Sequence, residues 1–383
     1  MEGAAGDYWI DIAVANSLPQ IALENASMVL SQHNLDIVRS HLDKLPDGEN
    51  GDVCMLRLLV SPLDTHRILT DEMFKPIIHE LKRTKWLDPY AMDLVFKRYP
   101  WLGVTKGEII TGLCSILHPI MSRKNQYAFS LNNIFDLVTK DRYIQHASSI
   151  TDLLLDRFHP ENALSDEDFA ARKQDLVKVI LDDVEDTVAK ELLLKMINVV
   201  EHTLRTNIYL ENRYALGLRL DPKAIEICYD TKEENPYGII YCHGRRFNAF
   251  HVRFKDIARG GMRLVTPASP EQFSLESGRQ YDECYSLAYA QQLKNKDIPE
   301  GGSKAVNLIN CNGLTPQAKQ FVMRKSVKAF TNTILDLVVD TDETRERVVD
   351  RIGKKEILYL GPDEQVSSAI SRILFLTRWH PSS

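Results

Sequence analysis

Four side chains between Phe250 and Val306 have the types and spacing to hold a carboxylate and handle an amine: Arg259, Gln291, Lys294 and Lys304. Arginine grips a carboxylate through two parallel hydrogen bonds. A desolvated lysine near other cations gives up its proton more readily and can exchange it near neutral pH. Arg259 precedes Gly260-Gly261, and Lys304 follows Gly301-Gly302 and Ser303. Paired glycines let a chain turn tightly or lie close to a ligand. Gln291 and Lys294 stand three apart near the end of a predicted helix, so they share a face, which Tyr281, Cys284 and Ala288 continue. The chemistry expected is one anion-binding, amine-handling pocket. Each piece also has a bland reading. These are a surface turn with a solvated lysine, a helix end whose lysine answers the helix dipole, and a β-turn with charged flanks. A phosphate loop G-x-x-x-x-G-K-[ST] is excluded, because it needs a hydroxyl where Ala305 stands.

The elements that must position these residues can be read in order. Residues 1–20 are expected to be a loose lead-in. IALENASMVLSQHN reads as a short helix, and LDIVRSHLDKL and VCMLRLLVSP as strands joined by the turn PDGENGD. From Leu69 to about Leu210 amphipathic helices are expected. They begin at a Thr-Asp cap signal, and the longest run should break near Asp182–Glu185. From about Asn212 short strand-like runs appear: ALGLRL, then IIYCHG and FHVRF as a hairpin turning at Gly244-Arg245-Arg246. After them come a helix over about 270–294, a strand AVNLI and a helix over about 316–339. That last helix carries an apolar stripe of Met323, Val327, Phe330, Ile334, Leu337 and Val338. A strand EILYL enters Gly361-Pro362-Asp363, and the tail beyond is one helix or a segment with no packing partner. The fold class expected is α+β and α/β. Its parts are a small α+β module (1–65), a helical region (66–210), a C-terminal α/β domain (211–365) and a short tail (366–383).

Composition narrows the function. The 383 residues carry a net charge of −6, so nothing global suggests nucleic acid or an anionic membrane. Six scattered cysteines without a C-x-x-C pair argue for a reducing compartment and against a metal cluster or disulfide framework. His79, His118, His146 and His202 have no partner at metal-ligand spacing. No apolar run is long enough to span a bilayer. The acidic start MEGAAGDYWIDIA suggests neither a secretory signal nor a transit peptide. The location expected is cytoplasmic, with mitochondrial as the alternative.

The ordered motifs A-R-G-G-M-R, A-Q-Q-L-K-N and P-E-G-G-S-K resemble those of the glutamate dehydrogenases, in the Glu/Leu/Phe/Val dehydrogenase superfamily. The helical N-terminal region and the ending L-Y-L-G-P-D-E look like the large NAD-specific members of fungi and protists. The motif-bearing match covers about Asn212–Glu364. This resemblance implies an amino-acid-dehydrogenase substrate domain, NAD as cofactor, L-glutamate and 2-oxoglutarate as ligands, and a homo-oligomer. It implies that Lys304 polarises the carbonyl or carbinolamine and activates water, and that Asp363 shuttles a proton to and from the amino group. Lys294 and Gln291 match the binders of the α-carboxylate. Arg259 stands where smaller members have a lysine that contacts the side-chain carboxylate, and Gly260, Gly261 and Gly302 complete the substrate-binding set. These enzymes continue into a Rossmann domain, and no G-x-G-x-x-G occurs here. The expectation is therefore a chain truncated before its NAD-binding domain. The alternative is a non-catalytic product that binds glutamate or 2-oxoglutarate, or co-assembles with full-length subunits.

Overall fold

A computed structural model describes residues 7–15, 17, 19–47, 51–64, 69–225, 234–294 and 298–363. The expected tail from 366 onward lies outside these residues. The chain divides into two units, Met1–Gly107 and Glu108–Ser383.

The first unit is mixed. It contains β1 (Tyr8–Ala15), α1 (Pro19–Gln32), β2 (Leu35–Asp47), β3 (Gly51–Pro62), α2 (Asp71–Thr84) and α3 (Pro89–Asp93). Its sheet has the order β1-β3-β2, all antiparallel. The loose lead-in was wrong: Tyr8–Ala15 is a strand paired with β3 throughout. Its residues alternate half-buried and exposed, the period-two signature of a half-covered strand, and the acidic side chain of Asp11 falls on the exposed phase. The core is built from Val29 and Leu30 of α1, Leu56, Leu58 and Val60 of β3, and Ile77 of α2. Thr70 stands at the N-cap of α2, but its side chain makes no capping bond.

The second unit begins inside α4 (Gly103–Met121) and continues through α5 (Leu131–Val138), α6 (Ile144–Arg157), α7 (Asp166–Asp183) and α8 (Thr187–Glu201). The break between α7 and α8 falls where acidic residues crowd. Val184 is extended, and Asp186 accepts from the amides of Val188 and Ala189 to start the next helix. After α8 come β4 (Thr203–Thr206), β5 (Ala215–Leu220), β6 (Gly238–Gly244), β7 (Phe247–Arg253), β8 (Ile257–Val265), α9 (Pro270–Lys294), β9 (Gly301–Ile309), α10 (Pro316–Val338), α11 (Asp342–Arg347) and β10 (Ile357–Pro362). The helical region was read too far, since Thr203–Thr206 pairs with β5 at the edge of the sheet. Four residues are too few for periodicity to separate from the helix before them.

Among the described residues the sheet has seven strands in the order β10-β8-β9-β7-β6-β5-β4. β4 to β7 and β9 are joined antiparallel, while β10, β8 and β9 run parallel side by side. One face packs on α10. Val327, Phe330, Ile334 and Leu337 meet Ile240, Ala249, Met262 and Ala305 in one buried cluster, with Met323 and Val338 at its margin. The expected apolar stripe is therefore the core face. The other face receives α9, whose Tyr281 packs edge-on against Phe250.

Candidate active site

The glycine pairs do not turn. Gly260-Gly261 lies within β8 and Gly301-Gly302 within β9, and none of these glycines has a positive φ. What they provide is close approach. A Cβ on Gly260 would overlap the carbonyl of Ser303 in the next strand, and one on Gly302 would overlap the backbone of Gln291 and Gln292 in the last turn of α9. The helix thus lies against β9 two residues before Lys304.

Register then assembles the site. Gly261 is opposite Lys304 on one side and Gly361 on the other, so Gly261 separates the lysine strand from β10. Asp363 is two residues beyond Gly361, and its amide still donates to the carbonyl of Met262 at 3.1 Å. Its carboxylate reaches back over Gly261 and pairs with the Lys304 ammonium. A Cβ on Gly261 would stand 2.9 Å from both the Cβ and Oδ2 of Asp363, so the bare glycine is what opens the path between the two charges. Lys304 was expected among cations, but the charged group against it is a carboxylate. The ammonium is largely shielded and the carboxylate more open, at 16% and 38% exposure.

Arg259 is two residues along β8 from Gly261, opposite Gly302 and Tyr359. Its guanidinium lies 5.3 Å from the Tyr359 ring centroid and 4.0 Å from the Glu300 carboxylate, and 57% of the side chain is exposed. It is an open, loosely held cation. Lys294 ends α9, exposed and without an ion pair among the described residues. Gln291, partly buried, has its backbone directly against Gly302. Register therefore places Arg259, Gly260, Gly261, Gly302, Lys304 and Asp363 on or at the end of three adjacent strands, and the end of α9, which carries Gln291 and Lys294, lies against Gly302.

Sequence reasoning missed the residues that hold this region. The Gln292 side chain accepts from the Gly302 amide at 2.7 Å. Gln280 donates to the carbonyls of Asn248 and Val306 at 2.7 and 3.1 Å. The Cys284 thiol lies 3.3 Å from the carbonyls of Phe250 and Lys304. Burial pushes this thiol up to about 12, which keeps it protonated and a donor. Gln280, Cys284 and Gln292 share a four-residue spacing with Ala288, one stripe along α9. Polar groups on a buried stripe were the available signal. Cys284 had been placed on the site face, but not as a backbone anchor.

A family model, bacterial NAD-glutamate dehydrogenase, catalytic domain, matches residues 176–361, which include Arg259, Gln291, Lys294 and Lys304. The chain is 40% identical over 174 residues to the NAD-specific glutamate dehydrogenase of Saccharomyces cerevisiae. That alignment takes in 45% of this chain and 15% of the relative. Over this stretch the chain is similar to the catalytic part of NAD-specific glutamate dehydrogenases. A probable NAD-specific glutamate dehydrogenase of Schizosaccharomyces pombe is 32% identical over 276 residues, 67% of this chain and 24% of that protein. Glutamate dehydrogenase 2 of Dictyostelium discoideum is 38% identical over 191 residues, 48% of this chain and 17% of that protein. The alignments thus span no more than about a quarter of the length of these relatives. Among its described residues no helix is long and apolar enough to cross a membrane, and no group of three or more His, Cys, Asp or Glu could hold a metal ion.

Proposed function

We propose that this chain carries the substrate side of an NAD-dependent oxidative deamination of L-glutamate to 2-oxoglutarate and ammonium. Similarity to these enzymes supports the reaction class. The single observation that carries the site assignment is the Lys304–Asp363 pair closed across Gly261. NAD supplies the hydride acceptor when bound. The chain's own residues bind, orient and move protons. Lys294 and the Gln291 amide hold the substrate α-carboxylate at the end of α9. Arg259, with a largely exposed guanidinium, takes the side-chain carboxylate. The amine then meets the Asp363 carboxylate and opens its direct contact with Lys304. Asp363 accepts a proton from the substrate ammonium, which frees the nitrogen lone pair. Lys304 hydrogen-bonds the developing carbonyl oxygen and directs water to the imine carbon. A cation and an anion held side by side in opposite protonation states are the acid and base this exchange needs. Gly260, Gly261 and Gly302 leave room for the substrate over the strands.

The test combines turnover with binding. Purified chain is mixed with NAD and L-glutamate and NADH absorbance is followed, while 2-oxoglutarate binding is measured by calorimetry. Lys304→Ala is expected to lower any turnover at least about a thousandfold and to leave 2-oxoglutarate affinity within about threefold. Arg259→Ala is expected to weaken that affinity about tenfold or more. No binding of glutamate or 2-oxoglutarate to the folded wild-type chain overturns the reading. If Arg259→Ala leaves affinity unchanged, the side-chain anchor is elsewhere.

A further inference from the structure

The two outer strands of the three-stranded sheet differ. β1 alternates half-buried with exposed, whereas every β2 side chain from Val38 to Pro46 is exposed. Three of these are apolar: Val38 at 57%, Leu42 at 40% and Leu45 at 52%. β2 pairs with β3 on one side only among the described residues, so its other backbone edge offers donors and acceptors to a further strand. Two features limit what can pair there. A bulge between Ile37 and Arg39 breaks the alternation at Val38, and Pro46 has no N–H. The regular stretch is Arg39–Leu45.

That stretch is self-complementary. Arg39 and Asp43 lie symmetrically about His41, on the same face, and neither makes an ion pair among the described residues. A second copy of β2 laid antiparallel on a two-fold axis at His41 puts Arg39 of each copy opposite Asp43 of the other. It also puts Ser40 opposite Leu42. Opposite charges directly across an antiparallel pair attract, and like charges there repel. A two-fold axis forms both ion pairs at once, as an isologous interface requires.

We propose that β2 is a self-association edge: two copies of this chain pair through Arg39–Asp43, antiparallel and centred on His41, and join their sheets into one of six strands. The occupant is a second copy because the two charges of this stretch that lack an ion pair, Arg39 and Asp43, complement each other about His41, while Lys44 falls opposite Val38 and is already paired with Asp52 of its own chain.

Sedimentation of the full chain and a cysteine scan test this. Arg39→Asp and Asp43→Arg are each expected to weaken dimerisation about tenfold, since each turns two attractions into two repulsions. The double variant is expected to restore it. All these positions are exposed, so the fold is retained, and circular dichroism checks that. His41→Cys is expected to give a covalent dimer on mild oxidation, with mass spectrometry finding the disulfide between the two β2 peptides; Leu45→Cys is not. The described native cysteines are all buried and do not compete. A monomer at every concentration overturns the proposal. So does an association that the single charge reversals leave unchanged, or a β2 disulfide forming from Leu45→Cys and not from His41→Cys.

Discussion

At the scale of single residues, the glycines of the candidate site are spaces with defined neighbours, and the neighbour decides the effect of filling each one. A methyl on Gly261 meets the side chain of Asp363, which can swing away. Gly261→Ala is therefore expected to keep stability within about 1 kcal/mol of wild type. It separates the carboxylate from Lys304, and under the proposed role of this pair that misplacement is expected to cost about a hundredfold in any turnover. Steady-state rates set beside urea midpoints show both effects. Gly302→Ala meets helix backbone instead, which cannot rotate aside. It is expected to cost about 1–3 kcal/mol or more in urea unfolding. The residue types at this site were legible, and so was their order. That the glycines keep strands and helix close together was not, because a glycine looks the same in a turn and in a crowded strand until the neighbouring chain is placed.

At the scale of elements, α9 and α10 cover opposite faces of the sheet by different means. α10 is an apolar contact. Phe330 is fully buried in the cluster under it, and Phe330→Ala is expected to cost about 3–5 kcal/mol in urea unfolding. α9 is tied on by side-chain bonds to strand backbone. Gln292→Leu leaves the Gly302 amide without its acceptor and is expected to cost about 1–3 kcal/mol, with faster hydrogen exchange at that amide. The helices were readable because their apolar period persists over many residues. β1 and β4 were missed because each takes its strand state from a partner, β3 or β5, that lies elsewhere in the sequence.

At the scale of the whole molecule, a buried charge network fixes the start of β10, the strand that carries Asp363 beyond its other end. Glu356 is fully buried and accepts from Arg219 at 2.7 Å. Arg253, also fully buried, lies against it, and Arg205 stands 3.7 Å away while gripping Asp350 through two bonds of 2.7 Å. Burial alone would raise the Glu356 carboxyl, but the Arg219 hydrogen bond and the charges of Arg253 and Arg219 outweigh it and hold it below its usual value. Glu356→Gln leaves two buried arginines unpaired and is expected to cost about 3–5 kcal/mol. Nearby, burial and then the charges of Arg253 and Arg219 lower His251 to about 3, and burial lowers His118 to about 4, both from 6.5. Below pH 6.5 the unfolded chain binds these protons and the folded chain does not, so stability falls as pH falls. Each histidine contributes about 1.4 kcal/mol per pH unit, His118 down to about pH 4 and His251 to about pH 3. Glu356 acts in the same direction below its usual 4.5, where protonation removes its stabilisation. Urea midpoints between pH 7 and 4.5 test the slope, and His251→Phe is expected to remove about half of it over that range.

Sequence alone determined the chemistry on offer: a lysine after a glycine pair, an arginine before another, an amide and a lysine on one helix turn, and an aspartate far downstream. It also determined the long helices, whose periodicity is local. Only the tertiary structure decided that Asp363 and Lys304 meet. Fifty-nine positions separate them, and what joins them is strand order and register, with β8 inserted between β10 and β9 and Gly261 bare at the crossing. Register is set by which faces find cores across the whole sheet, a sum over distant residues that no local motif records.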